Sequence, residues 1–330
     1  MSSPGSSHEV VRKDAYIQAI RGLAIAAVVT IHCLTPSEAV AVFRPLLNWC
    51  VAVFIFISGY LTTPEKVRGG ACCRRLKKIL VPYLIWTFIY ILVERRFSLW
   101  GMTKAVLLGD SATQMYYLVV YAQLIALTPL LYKLLDARRW LLYWITPVAL
   151  LIRAALALVN IDLPLFYSFF PGWLLFYVVG LDWGYWKEKF ASIPKSFYAI
   201  ALFAGILLQV LSALFWYGRD DWTMAVTQLK PSVLPAALMI VVLLFTASKH
   251  MRSRVGSSNL LVLLGDLSFG IYLCHVVALK VPRKVFETLG MTSLIWGIVL
   301  SMVVLAASAG VVLICQRKLS KRTLARIGFA

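Results

Sequence analysis

Ten stretches of nearly unbroken apolar residues run along the chain, and short polar segments rich in Lys and Arg separate them. They fall at approximately 16–34, 43–61, 79–93, 116–135, 140–158, 165–183, 197–216, 233–246, 260–279 and 294–315. About 20 apolar residues cross a bilayer as a helix, and a helix satisfies its own backbone there. The pattern therefore predicts an all-α fold, a polytopic membrane helix bundle of about ten transmembrane helices. The third and eighth stretches are short, which suits tilted or partly re-entrant segments. One transmembrane domain is expected over 15–315, between an N-terminal tail at 1–14 and a basic tail at 316–330.

Composition agrees with that pattern. Apolar residues make up 61% of the chain and charged ones 14%, with a mean hydropathy of +0.82. A soluble domain runs near 45–50% apolar, and disorder needs low hydrophobicity, so both are excluded. A net charge of +19 would suggest nucleic acid in a soluble protein. Here the basic residues lie between apolar runs, so they read as orientation signals and membrane-lipid anchors, with no nucleic-acid partner.

An even number of spans puts both termini on one side. Of the 33 Lys and Arg residues, 22 fall on the side of the termini and 10 on the other. By the positive-inside rule both termini are expected in the cytoplasm, in a multi-pass protein of the cell (inner or plasma) membrane. Arg21 interrupts the first stretch and no small-residue cleavage site ends it, so it reads as a retained span rather than a signal peptide.

No metal site is expected. Cys72 and Cys73 are adjacent, the other four cysteines stand apart, and no C-x-x-C pair or His at ligand spacing occurs. No phosphate-loop or zinc-protease string is present, so no permanently bound cofactor is expected.

Ionisable groups inside a bilayer are costly and point to function. Four qualify: Arg21, His32, Asp266 and His275. Arg21 and His32 are eleven residues apart, about 20° past three full turns, so they share a helix face about 16 Å apart along its axis. Arg21 at an inner interface and His32 in an outer headgroup layer is the alternative. Asp266 and His275 are nine residues apart, half a turn out of phase. His275 has nearly the depth of His32 and either converges on the same cavity or makes a helix–helix hydrogen bond. Asp266 reads as balancing base near the inner interface.

The segment 64–78 holds Lys66, Arg68, Arg74, Arg75, Lys77 and Lys78 against the single acid Glu65. Such a cluster grips a multiply phosphorylated ligand or serves lipid headgroups and topology, and both readings stand.

Five motifs in order carry a resemblance over about 14–315. Arg21-Gly-Leu-Ala leads to Thr-Ile-His32 in the first span, and Phe54-Ile-Phe-Ile-Ser-Gly59-Tyr-Leu follows in the second. Arg75-Leu-Lys-Lys78-Ile-Leu-Val-Pro82-Tyr83 opens the third. Tyr117-Leu with Pro129-Leu-Leu lies in the fourth, and Leu267-Ser-Phe-Gly-Ile-Tyr-Leu-Cys-His275 in the ninth. Together they resemble the membrane acyltransferase-3 family, which includes bacterial O-acetyltransferases of surface glycans.

The resemblance implies an integral membrane O-acyltransferase moving an acyl group, with acetyl-CoA the expected co-substrate, from the cytoplasm. The acceptor would be a hydroxyl of a surface glycan or another membrane-delivered molecule. His32 would be the general base. Arg21 would hold a donor phosphate or steady the oxyanion. Arg74, Arg75, Lys77 and Lys78 would bind the nucleotide phosphates of acyl-CoA, and His275, Ser58 and Tyr117 are cavity candidates. Gln18 stands where the family often has an acid, and Lys78 replaces the second Arg of its basic pair. No counterpart of the hydrolase-like domain of some members is seen. Export of a glycan or lipid-linked sugar is the alternative function.

Overall fold

The computed structural model describes residues 14–67, 70–163, 165–246 and 252–330. Most of the expected N-terminal tail, and Arg68, lie outside them. The described residues form fourteen α-helices and no strand. They begin with α1 (Ala15–Cys33), α2 (Glu38–Phe43), α3 (Trp49–Tyr60), α4 (Ala71–Glu94) and α5 (Leu99–Leu108). Then come α6 (Tyr116–Leu158), α7 (Leu174–Leu181), α8 (Trp183–Ala191), α9 (Lys195–Tyr217) and α10 (Trp222–Val226). The last are α11 (Val233–Phe245), α12 (Leu260–Thr288), α13 (Leu294–Lys318) and α14 (Lys321–Ile327). Among the described residues, seven helical segments are long and apolar enough to cross a membrane. The chain is an all-α polytopic membrane bundle.

Asp14 starts α1 by accepting the N–H groups of Tyr16 and Ile17, and Asn259 starts α12 by accepting that of Leu261. The two helices run parallel at the centre. Gln18 and Gly22 pack on Gly265 and Leu261 at one end, and His32 meets His275 at the other. Gly22 and Gly265 allow this approach. A Cβ on Gly22 would overlap the Leu261 carbonyl oxygen, and one on Gly265 the Gln18 carbonyl oxygen. α13 returns antiparallel: Thr30 of α1 donates to Ser301 at 3.2 Å, and Cys274 and Gly270 of α12 face Ser308 and Val312.

Several expected spans have a different shape. The second is α2 and α3 joined by a 3-10 turn at Arg44–Leu47, because Pro45 lacks the N–H that a continuous α-helix would use. The third starts eight residues earlier than expected, at Ala71, and its 24 residues are long enough to cross. The fourth and fifth make up α6, broken at Arg138, where φ is −146° and ψ is 52°. Gln123 and Thr128 bond to residues 168 and 177 in rising order, whereas Tyr143 and Thr146 reach Asp182 and Leu175 in falling order. The two halves of α6 are therefore antiparallel.

The sixth stretch is no continuous helix. Two 3-10 turns at Phe166–Ser168 and Phe170–Gly172 precede the buried eight-residue α7. The eighth, α11, has 13 residues, about 20 Å at 1.5 Å each. Residues 321–330 fold back on the bundle. Leu324 and Phe329 are buried, the Trp86 indole N–H donates to the Ile327 carbonyl at 2.9 Å, and Gln316 donates to that of Phe329 at 2.8 Å.

Candidate active site

Two cavities with charged side chains in mostly apolar walls enter the bundle from opposite ends. The first, about 400 Å³, includes Arg21, Ser58, Arg75, Lys78, Tyr121, Asp266 and Ala330 in its wall. The second, about 690 Å³, includes His32, Arg44, Thr113, Gln114, Lys280 and Arg283. Val28, Val51, Tyr117 and Tyr272 line both. These four side chains form the partition between them.

Helix geometry divides the charges in this way. Arg21, Val28 and His32 follow one face of α1, so Arg21 opens into the first cavity and His32 into the second, with Val28 between them. On α12 the half-turn offset holds as well. Asp266 lines the first cavity, while His275 is fully buried against His32, ring centroids 5.1 Å apart.

In the first cavity, Arg75 donates through Nη2 to the Thr62 hydroxyl at 2.8 Å, and that hydroxyl donates to the Ser58 carbonyl at 2.6 Å. Arg75 Nη1 and Ser58 Oγ are buried without a hydrogen-bond partner among the described residues. Both residues line the cavity, and buried polar atoms are ordinarily hydrogen-bonded. Arg21 donates to the Gln18 amide oxygen at 3.2 Å. That contact is to a neutral group, and Asp266 of α12 lines the same cavity. Arg75, Lys78 and Ile79 follow one face of α4 into the cavity. Arg74 and Lys77 are exposed and line neither cavity.

In the second cavity, the Thr113 hydroxyl lies 3.3 Å from His32 Nδ1. Arg283 donates to the His32 carbonyl. Arg44 Nε is buried without a partner among the described residues. The partition is braced from α4. Gln114 donates to the Tyr90 hydroxyl at 2.8 Å, Tyr90 donates to the Leu273 carbonyl at 2.8 Å, and Tyr272 donates to the Gln114 carbonyl. Tyr272 and Tyr117 meet edge to face, centroids 5.4 Å apart, a preferred aromatic geometry.

Of the residues the sequence singled out, Arg21, Ser58, Arg75, Lys78 and Tyr117 share the first cavity; His32 lines the second, with His275 against its ring. Sequence reading missed Thr113, Tyr272, Arg44 and Arg283. A signal for two of them existed: Tyr272, Val276, Leu279 and Arg283 recur at helical spacing past Leu279, where the ninth stretch was expected to end.

Fold and cavities define a multi-pass membrane protein with separate charge-bearing chambers at the two ends of its bundle. The profile of a family described as an acyltransferase domain matches residues 14–315, and the chain belongs to that acyltransferase family. No match was found among curated proteins or among solved structures.

Proposed function

We propose that the protein transfers an acyl group, acetyl in the simplest case, from acyl-CoA to the hydroxyl of a glycan or other membrane-delivered acceptor. The carrying observation is the back-to-back pair of cavities, one with a guanidinium nitrogen, Arg75 Nη1, buried without a partner among the described residues and the other with an imidazole beside a hydroxyl. The donor enters the Arg75 cavity from the cytoplasm, its phosphates at Arg75 and Lys78 and its polar arm at Ser58. Arg21 serves the donor, because it opens into this cavity and His32 into the other. The flexible pantetheine carries the thioester through the partition once Tyr117 and Tyr272 part.

The acceptor hydroxyl takes the place that the Thr113 hydroxyl marks beside His32 Nδ1. His32 removes its proton, the oxygen attacks the thioester carbonyl, the C–S bond breaks, and the CoA thiolate leaves and regains a proton. A positioned base contributes typically 10²–10⁴-fold.

Native membrane vesicles supplied with acetyl-CoA test this reading. His32→Ala is expected to bind CoA as the parent does and to lose transfer by about 10²–10⁴-fold. Undiminished transfer in His32→Ala would remove the mechanism. Glycan export that continues without acetyl-CoA turnover would move the protein to the exporter class.

A further inference from the structure

His275 is fully buried, and its two nitrogens have different fates. Nδ1 lies 2.8 Å from the Tyr272 carbonyl and 3.1 Å from the Ile271 carbonyl. Carbonyl oxygens only accept, so Nδ1 carries the proton and Nε2 of the neutral ring is a bare acceptor. That Nε2 is buried and has no partner among the described residues. A buried acceptor left empty is costly, and a purely space-filling role would be met by Leu or Phe.

Its neighbours narrow the choice of partner. The Tyr272 hydroxyl is committed to the Gln114 carbonyl, and Cys274 Sγ faces the Ile271 and Ser308 carbonyls. The remaining polar ring against His275 is that of His32, tilted 53° to it. His32 already turns Nδ1 toward the Thr113 hydroxyl.

Building on the reading of His32 as the base, we infer that His275 is its positioning residue: the rings lie 5.1 Å apart between centroids without this bond in the structure, and a turn of the His32 ring lets Nε2 of His275 accept the Nε2–H of His32, which keeps His32 Nδ1 bare toward the acceptor hydroxyl. When His32 takes the acceptor's proton at Nδ1, its second N–H stays on His275. Two backbone carbonyls at the far end of His275 fix the direction of the chain of hydrogen bonds. The partner is a neutral imidazole instead of the carboxylate of a hydrolase triad, which avoids a further buried charge inside the bilayer.

Two near-isosteres separate positioning from packing. Gln carries its terminal amide close to the place of Nε2, and Asn carries its own close to that of Nδ1. His275→Asn thus retains the backbone anchor and loses the acceptor, and His275→Gln does the reverse. If His275 only ties α12 together, Asn is the milder change. If it positions His32, Gln is.

The chain has four histidines, so a His8→Gln, His250→Gln background leaves His32 and His275 alone. In that protein, ¹⁵N-labelled and held in detergent, long-range proton–nitrogen spectra read which nitrogen of each ring carries hydrogen. The expected result is hydrogen on Nδ1 of His275 and on Nε2 of His32, with His32 becoming a tautomer mixture in His275→Asn. Acetyl-CoA turnover in native vesicles should fall about 10- to 100-fold in His275→Asn, the range for loss of an orienting partner, and by less than about threefold in His275→Gln. Equal activity of the two variants, a milder Asn, or a His32 tautomer indifferent to both would overturn the proposal. Should the Asn variant not fold, the parent and Gln spectra still decide it, a mixed His32 tautomer in either counting against the pair. His32→Ala reports separately on the base, since its turnover can survive or vanish whatever the spectra show for the two rings.

Discussion

Arg75 spends one nitrogen on Thr62 and leaves Nη1 unpaired in the cavity wall, while Arg74, next to it, points to solvent. Charge-assisted hydrogen bonds contribute about 1.5–3 kcal/mol. Arg75→Ala is therefore expected to weaken CoA binding by about 10- to 100-fold in a direct binding assay, and Arg74→Ala by less than about twofold. The Lys78→Ala loss should shrink as salt is raised, because its exposed ammonium acts as a screened point charge. Equal effects of Arg74→Ala and Arg75→Ala would mean that the segment acts only as a diffuse positive surface. The spacing from Arg21 to His32 was legible, because one helix face follows from 3.6 residues per turn. The choice of Arg75 and Lys78 over Arg74 and Lys77 was not, since it depends on which face of α4 turns inward. Thr113 was illegible too, because it lies on the α5–α6 connection, whose path no periodicity describes.

Within the bundle, α1 and α12 set the level of both cavities, and their contact rests on Gly22 and Gly265. Gly22→Ala must push α12 away, at about 1–3 kcal/mol for overpacking. Lower thermal stability in detergent is expected, together with weaker CoA binding, because Arg21 and Asp266 would separate. Gly184→Ala, where no atom lies within 4 Å of the added carbon, is the matched control and should be neutral. An unchanged melting temperature in Gly22→Ala would show that the helices meet elsewhere. The apolar stretches gave away most helices because lipid demands continuous hydrophobicity. They misled over 165–183 because a short buried helix and a span share the same apolar run. Phe170-Pro171-Gly172 held the signal for the break.

For the molecule as a whole, the cavities give its two ends different chemistry, so orientation decides which substrate comes from where. Cys73 is exposed beside Arg74 at the Arg75 end, and Asp162 is exposed in the loop after α6. With cytoplasmic termini, Cys73 should react with a membrane-impermeant thiol reagent only in opened cells, whereas Asp162→Cys should react in intact ones. The opposite labelling would reverse the sides of donor and acceptor. Sequence reading supplied this orientation from counted charges, but it had no means of showing that the polar interior is divided in two. That division depends on where Val28, Val51, Tyr117 and Tyr272 meet across three helical segments and α12.

The partition also has an electrical side. Moving one charge across a membrane potential of 100 mV involves about 2.3 kcal/mol. If water fills the two cavities, that voltage acts mainly across the Val28, Val51, Tyr117 and Tyr272 partition instead of across the full hydrocarbon thickness. On the proposed mechanism, the partition has to pass a thioester without becoming an ion leak. Val28→Gly with Val51→Gly is expected to depolarise proteoliposomes holding a potassium gradient, as a voltage-sensitive dye would report, while the parent protein holds the potential.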